Sequence, residues 1–242
     1  MSGGKPIPWG RVNAGIVIAS CLGIALVAGL LTAEPAMESH TVHWWLDQAE
    51  GAACGYPGSY EALLVFRHNG KQALPGLLRI IEKPDSSPAT WLSKQVFFRR
   101  LPRSIQNWAE RKMSKGLADK CWAVMMCGGI GSEGKKAEPA IIRACADPNT
   151  SVRRSAAQAL VEAQFPLEVA LPLLSEMMLH DPYPEPREEA ALRLAELGER
   201  ARPALPALRL AASGPFPIMQ AQWIVRKLEV ENELQHAQPL PK

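Results

Sequence analysis

Three groups of residues in this 242-residue chain have types and spacings that suggest chemistry. The first is Gly129-Ile130-Gly131-Ser132-Glu133-Gly134-Lys135-Lys136, which satisfies both Gly-x4-Gly-Lys and Gly-x-Gly-x-x-Gly, the loops that cradle phosphates. Lys136 stands where a Mg²⁺-binding hydroxyl is needed and no second β-α pattern follows, so the glycines read instead as a left-handed cap at a helix C-terminus. The second is a basic window in which Lys94, Arg99, Arg100, Arg103, Arg111, Lys112, Lys115 and Lys120 face only Glu110 and Asp119, with Trp91, Phe97, Phe98 and Trp108 interleaved. It reads either as a surface for anionic polymers, lipid headgroups or an acidic partner, or as a solvated helix face with the aromatics packed beneath. Arg99, Arg100, Arg103, Trp108, Arg111 and Lys112 are its candidate binding residues.

The third group is the cysteines. Antiparallel helices flanking a turn near residue 133 would bring Cys121 and Cys145 to the same level, a candidate disulfide if the domain is exported, with buried thiols as the alternative. His40-x-x-His43 with the distant Cys54 lacks a fourth ligand, so no metal is expected. There is no Gly-x-Ser-x-Gly, His-Glu-x-x-His or Cys-x-x-Cys, and neither catalytic residues nor a cofactor is predicted. Glu188 and Glu189, adjacent at a helix start, suit the macrodipole better than acid and base work.

The elements that hold these residues are read from composition and charge. The 34 Ala and 28 Leu set against 12 Val, 12 Ile and 4 Thr predict an all-α protein. A 47% apolar composition excludes wholesale disorder, and a net charge of +3 excludes a nucleic-acid-coating protein. Residues 12–33 carry no charge, long enough for a helix to cross the hydrocarbon layer. Lys5 and Arg11 precede this stretch, Glu34 and Glu38 follow it, and no Lys or Arg returns before Arg67. That asymmetry predicts a cytoplasmic tail (1–11), a single transmembrane anchor (12–33) and an extracytoplasmic remainder. The alternative is a cleaved signal segment and secretion, which Leu31-Thr32-Ala33 fits poorly. Ile18-Ala19-Ser20-Cys21 has the look of a lipoprotein box, but the apolar run continues past Cys21.

Self-comparison accounts for the 21 prolines. Ala73-Leu74-Pro75-Gly76-Leu77-Leu78, Ala137-Glu138-Pro139-Ala140-Ile141-Ile142, Ala170-Leu171-Pro172-Leu173-Leu174 and Ala204-Leu205-Pro206-Ala207-Leu208 each place a proline at the opening of an apolar helical run. The last three prolines lie 33 and 34 residues apart, whereas the interval from Pro75 to Pro139 leaves room for one degenerate unit. Asp147-Pro148 and Asp181-Pro182 repeat in phase, each followed by Arg153 or Arg187. Arg153-x-x-Ala156-Ala157-x-x-Leu160 matches Arg187-x-x-Ala190-Ala191-x-x-Leu194 as one packing stripe. Each unit is therefore two helices and two turns, with proline tolerated in the first turn of the first helix.

These residues resemble the HEAT-repeat family, specifically its short bacterial units, whose inter-helix turn reads Asp followed by Val-Arg, as in Asp147…Val152-Arg153. The resemblance covers residues 117–212 well, 57–84 moderately and 85–116 poorly. It implies an α-solenoid of stacked antiparallel helix pairs, in which Asp147, Arg153, Asp181 and Arg187 form a structural ladder between neighbouring repeats. The expected layout is a linker over 34–55, a repeat domain over 56–235 with an irregular insertion at 85–116, and a flexible tail over 236–242. The expected function is a membrane-anchored, non-catalytic scaffold for a protein partner. An enzyme or lyase-type subunit on the same fold is the runner-up, anion binding through 94–120 the third reading, and nucleic acid the least expected partner.

Overall fold

Val42, Trp45, Leu46 and Ala49 recur at the spacing of one helix face, and in the computed structural model they are the buried side of α1 (Val42–Ala53). The structure describes residues 36–37, 40–53, 58–83, 88–214 and 217–236. Just before α1, the two-residue strands β1 (Ala36–Met37) and β2 (His40–Thr41) pair antiparallel. The indole N–H of Trp45 donates to the Met37 carbonyl at 3.1 Å and ties this hairpin to the helix. Met37, Val42, Trp45, Leu46 and Ala49 thus belong to the core, where a linker is expected. The correction follows from burial: Met37, Val42 and Leu46 are wholly shielded from solvent, and chain that buries such side chains gains more than its ordering costs. Gly76 marks the contact, since a Cβ there would meet Val42 Cγ2 at 2.7 Å.

The helices that follow are α2 (Gly58–His68), α3 (Gly70–Glu82), α4 (Pro88–Ser93) and the 27-residue α5 (Arg103–Gly129). Then come α6 (Glu138–Cys145), α7 (Thr150–Glu162), α8 (Leu167–His180), α9 (Pro184–Leu197), α10 (Leu205–Ser213) and α11 (Met219–His236). They pair as α3 with α5, α6 with α7, α8 with α9 and α10 with α11. The second helices α5, α7, α9 and α11 pack in sequence along one layer, and the first helices along the other. The stripe read from the sequence is the core of this stack: Leu160, Leu194 and Leu228, each 34 residues from the next, are all essentially inaccessible. Ala156, Ala157, Ala190 and Ala191 are fully buried where the second helices approach one another.

Two expectations about the repeat are corrected. Among the described residues the interval from Pro75 to Pro139 holds no extra repeat pair. A single pair, α3 with α5, spans it, with the short α4 and a 3₁₀ turn before α5 and α5 itself extended at its start. The irregular insertion therefore ends near Pro102, and residues 103–116 are regular helix continuous with the repeat. Nor do all the prolines sit in a first turn. Pro139 and Pro206 do, but Pro75 and Pro172 lie inside α3 and α8. Each costs one internal hydrogen bond just past the N–H groups that lack partners anyway. In the other two units the residues before the proline form 3₁₀ turns, Gly131–Ala137 and Gly198–Ala204.

The second helices α5, α7 and α9 are each followed by a residue of positive φ: Gly131 (φ 66°), Gln164 (φ 53°) and Gly198 (φ 56°). After α7 the Phe165 N–H reaches back to the Leu160 carbonyl at 3.4 Å, closing a Schellman-type cap. Residues 1–35 and 237–242, including the uncharged stretch 12–33, lie outside the described residues. Among the described residues no helix is long and apolar enough to cross a membrane.

Candidate interaction surface

The turn aspartates and helix cations come together between units. The Arg153 guanidinium on α7 donates to both Asp181 carboxylate oxygens at 2.6 and 2.8 Å, in a pair whose side chains are 9% and 4% exposed. Arg153 also donates to the Asp147 carbonyl at 2.9 Å. Asp181 accepts the Tyr183 backbone N–H at 3.0 Å. Burial alone would raise the Asp181 carboxyl, but these hydrogen bonds and the charges of Arg153 and Arg187 outweigh it and hold it below the ordinary carboxylate range. Asp147 repeats the arrangement one unit earlier, bonding Lys120 at 2.6 Å and the Asn149 N–H at 2.8 Å. Lys120 is a ladder member that the sequence reading missed, although it stands 33 residues before Arg153. Its signal was hidden by Lys in place of Arg. The sequence has Pro215, not an aspartate, 34 residues after Asp181, and Arg187 donates to the Met178 carbonyl at 3.2 Å.

Cys121, Cys127 and Cys145 are free thiols, so the Cys121–Cys145 disulfide is not formed. Cys121 is turned toward Ser155 on α7, the neighbouring second helix, while Cys145 ends α6. Burial pushes the Cys127 and Cys145 thiols up to about 12, which keeps them protonated and unreactive. The glycine-rich segment is no phosphate cradle. A Cβ on Gly134 would lie 2.0 Å from the Cys127 carbonyl oxygen, so the loop is folded onto its own helix, and Lys136 pairs with Glu133 at 2.7 Å. Among the described residues no group of His, Cys, Asp and Glu is arranged to hold a metal. His40 instead stacks on Trp44 with ring centroids 3.8 Å apart.

The basic window is built differently. After α4, the Lys94 N–H bonds the Trp91 carbonyl (3.2 Å), Gln95 N–H that of Leu92 (3.1 Å) and Phe98 N–H that of Gln95 (2.9 Å). A 3₁₀ turn, Phe98–Arg100, then leads into α5. The Gln106 carboxamide donates to the Leu101 carbonyl at 2.6 Å and clamps this turn onto the start of α5. Held in this way, Val96 is fully exposed, and Trp91, Phe97 and Trp108 are 61%, 47% and 43% exposed. Trp91, Phe97 and Trp108 are thus not packed beneath the charges, while Phe98 is more covered. In α5 the residues 103–114 face solvent nearly all round, with Ala109 the buried exception. Among the described residues, Lys94, Arg99, Arg100, Arg103, Arg111 and Lys112 make no ion pair. The other two cations of the window do structural work, Lys120 in its rung and Lys115 bridging Asp47 on α1 to Asp119. Those two carboxylates raise the Lys115 ammonium despite the opposing effect of burial. Phe98, Arg99, Leu101, Arg103, Gln106 and Glu110 line a depression open to solvent here.

Comparison with known proteins agrees with the helix pairs and rungs. No curated protein and no solved structure matches the chain. Residues 118–195, about a third of the chain, match the family model of HEAT repeats. The match spans the stretch from the end of α5 to α9, in which both rungs lie, and it supports a HEAT-like repeat family for this protein.

Proposed function

We propose that this protein is a membrane-anchored, non-catalytic scaffold that binds a protein partner through its HEAT-like stack. The supporting observation is the stack itself. HEAT repeats in general suggest protein-interaction scaffolds, and a solenoid offers an extended face of second helices for a partner. In this reading 12–33 is the anchor, 1–11 lies on the cytoplasmic side, and the unit over 36–242 works on the opposite side of the membrane. No cofactor takes part, and nucleic acid is not a partner of an extracytoplasmic domain.

The test is thiol labelling in intact cells. The native cysteines are changed to Ser and one new cysteine is placed by Gln238→Cys. A membrane-impermeant reagent is expected to label it once the outer cell layer alone is made permeable. Protection until lysis would overturn the topology. Affinity capture with that same chain, cross-linked from residues on α7 and α9, is expected to return a protein rather than a nucleic acid.

A further inference from the structure

We infer that the segment from Trp91 to Lys112 docks on an anionic phospholipid bilayer, its apolar turn entering the interface and its cations binding headgroup phosphates. The inference rests on the anchoring reading only for how the domain reaches a bilayer. The turn is an ordered element, braced by the bonds of Lys94, Gln95, Phe98 and Gln106 already described. Yet it holds Val96, Phe97 and Trp91 out in water, where exposed apolar groups signal a contact surface. Lys94, Arg99 and Arg100 alternate with them in sequence, and Arg103, Arg111 and Lys112 extend the positive charge along α5. Aromatic rings beside unpaired cations are the composition that sits at the boundary of acyl chains and charged headgroups.

The alternatives fit less well. A peptide ligand needs an enclosed groove or free backbone groups, but the depression is open to solvent and the N–H groups of Lys94, Gln95, Phe98, Arg100 and Leu101 are bonded internally. A nucleic-acid strand needs a groove with successive stacking rings, whereas these side chains crown a turn and one helix. A planar anionic surface requires neither.

The experiment uses the full chain with vesicles of phosphatidylcholine alone and with about 30% phosphatidylglycerol. Hydrogen–deuterium exchange across 91–101 is followed, together with vesicle flotation. Anionic vesicles are expected to slow exchange on the order of tenfold relative to neutral ones. The effect should vanish in high salt and in a variant carrying Arg99→Glu, Arg100→Glu and Arg103→Glu. Val96→Asp, at a fully exposed position that leaves the fold untouched, should restore fast exchange. Equal exchange with both vesicle types would overturn the inference, as would a Val96→Asp chain protected like the parent. The same protection by soluble polyglutamate without anionic lipid would overturn it in favour of an acidic polymer. The anchoring reading fails separately, by loss of flotation with neutral vesicles, and in that case the anionic dependence is still read.

Discussion

The second-helix stack over 150–197 and the arm over 88–114 use the same residue types to opposite ends. In the stack, cations meet acids: Arg153 with Asp181, and Arg193 with Glu189 and Glu196. In the arm, six Lys and Arg make no ion pair among the described residues. Apolar residues differ in the same sense, for Leu160, Leu194, Ala156 and Ala190 are buried whereas Val96, Trp91 and Phe97 are exposed. The stack pairs these cations and buries these apolar groups within the chain. The arm leaves both kinds available to something outside it, and this is why it, and not the buried ladder, is the candidate surface for a bilayer, whereas the protein partner is proposed to meet the exposed face of the second helices.

Truncating a buried leucine and an arm residue of similar size tests this contrast most severely. Leu194→Ala is expected to cost about 3 kcal/mol through lost transfer energy and a cavity. Ile105→Ala in the arm is expected to cost no more than about 0.5 kcal/mol. Denaturant unfolding of the two variants measures both, and equal losses would erase the distinction.

The rung comes next. Asp181→Asn should cost about 2 kcal/mol at neutral pH, because it leaves a shielded guanidinium with a weaker partner. The folded carboxyl sits below its unfolded value of about 3.9, so the stabilisation is complete above that pH and is lost as pH falls through the lower folded value. The difference between parent and variant should therefore shrink in acid. A pH-independent difference would mean that the carboxylate's charge is not what stabilises the rung.

Lys115→Ala should have a smaller effect. The ammonium is 40% exposed, and screening limits its bridges to about 0.5 kcal/mol. Amide exchange is expected to quicken over 103–114, where α5 loses its tie to Asp47 on α1, while 150–197 keeps its rates. A change of the same small size is expected as a gain. Gln164 holds the positive-φ position that its neighbours in the series fill with Gly131 and Gly198. Gln164→Gly should stabilise by about 0.5 kcal/mol, the relief of left-handed strain less the added freedom of the unfolded chain. Thermal unfolding reads the shift.

How much was legible beforehand varies with the range of the interaction. The helix pairs over 138–213 followed from the prolines, the Asp-Pro turns and the Arg-x-x-Ala-Ala-x-x-Leu stripe, because each reports a local requirement of backbone or helix face. The place of α1 in the core was partly visible as the Val42, Trp45, Leu46, Ala49 spacing, yet polar and turn-forming neighbours on both sides made it read as linker. Lys120 was missed because a lysine names no partner until Asp147 is 2.6 Å away. The cysteine pairing failed because levels along two helices do not fix which way a thiol turns, and Cys121 turns to Ser155.

The helical class, the period and the second helices' apolar stripe follow from the order of residues alone, since intrinsic propensity and the 34-residue spacing of residues such as Leu160, Leu194 and Leu228 are written into the chain. Long-range packing alone settles that one described pair spans the interval from Pro75 to Pro139, that Arg153 reaches Asp181 in the next unit, and that Trp91, Val96 and Phe97 stay outside. The reason is that burial and ion pairing depend on which distant segments arrive alongside, and a basic aromatic window reads the same whether its rings are covered or bare.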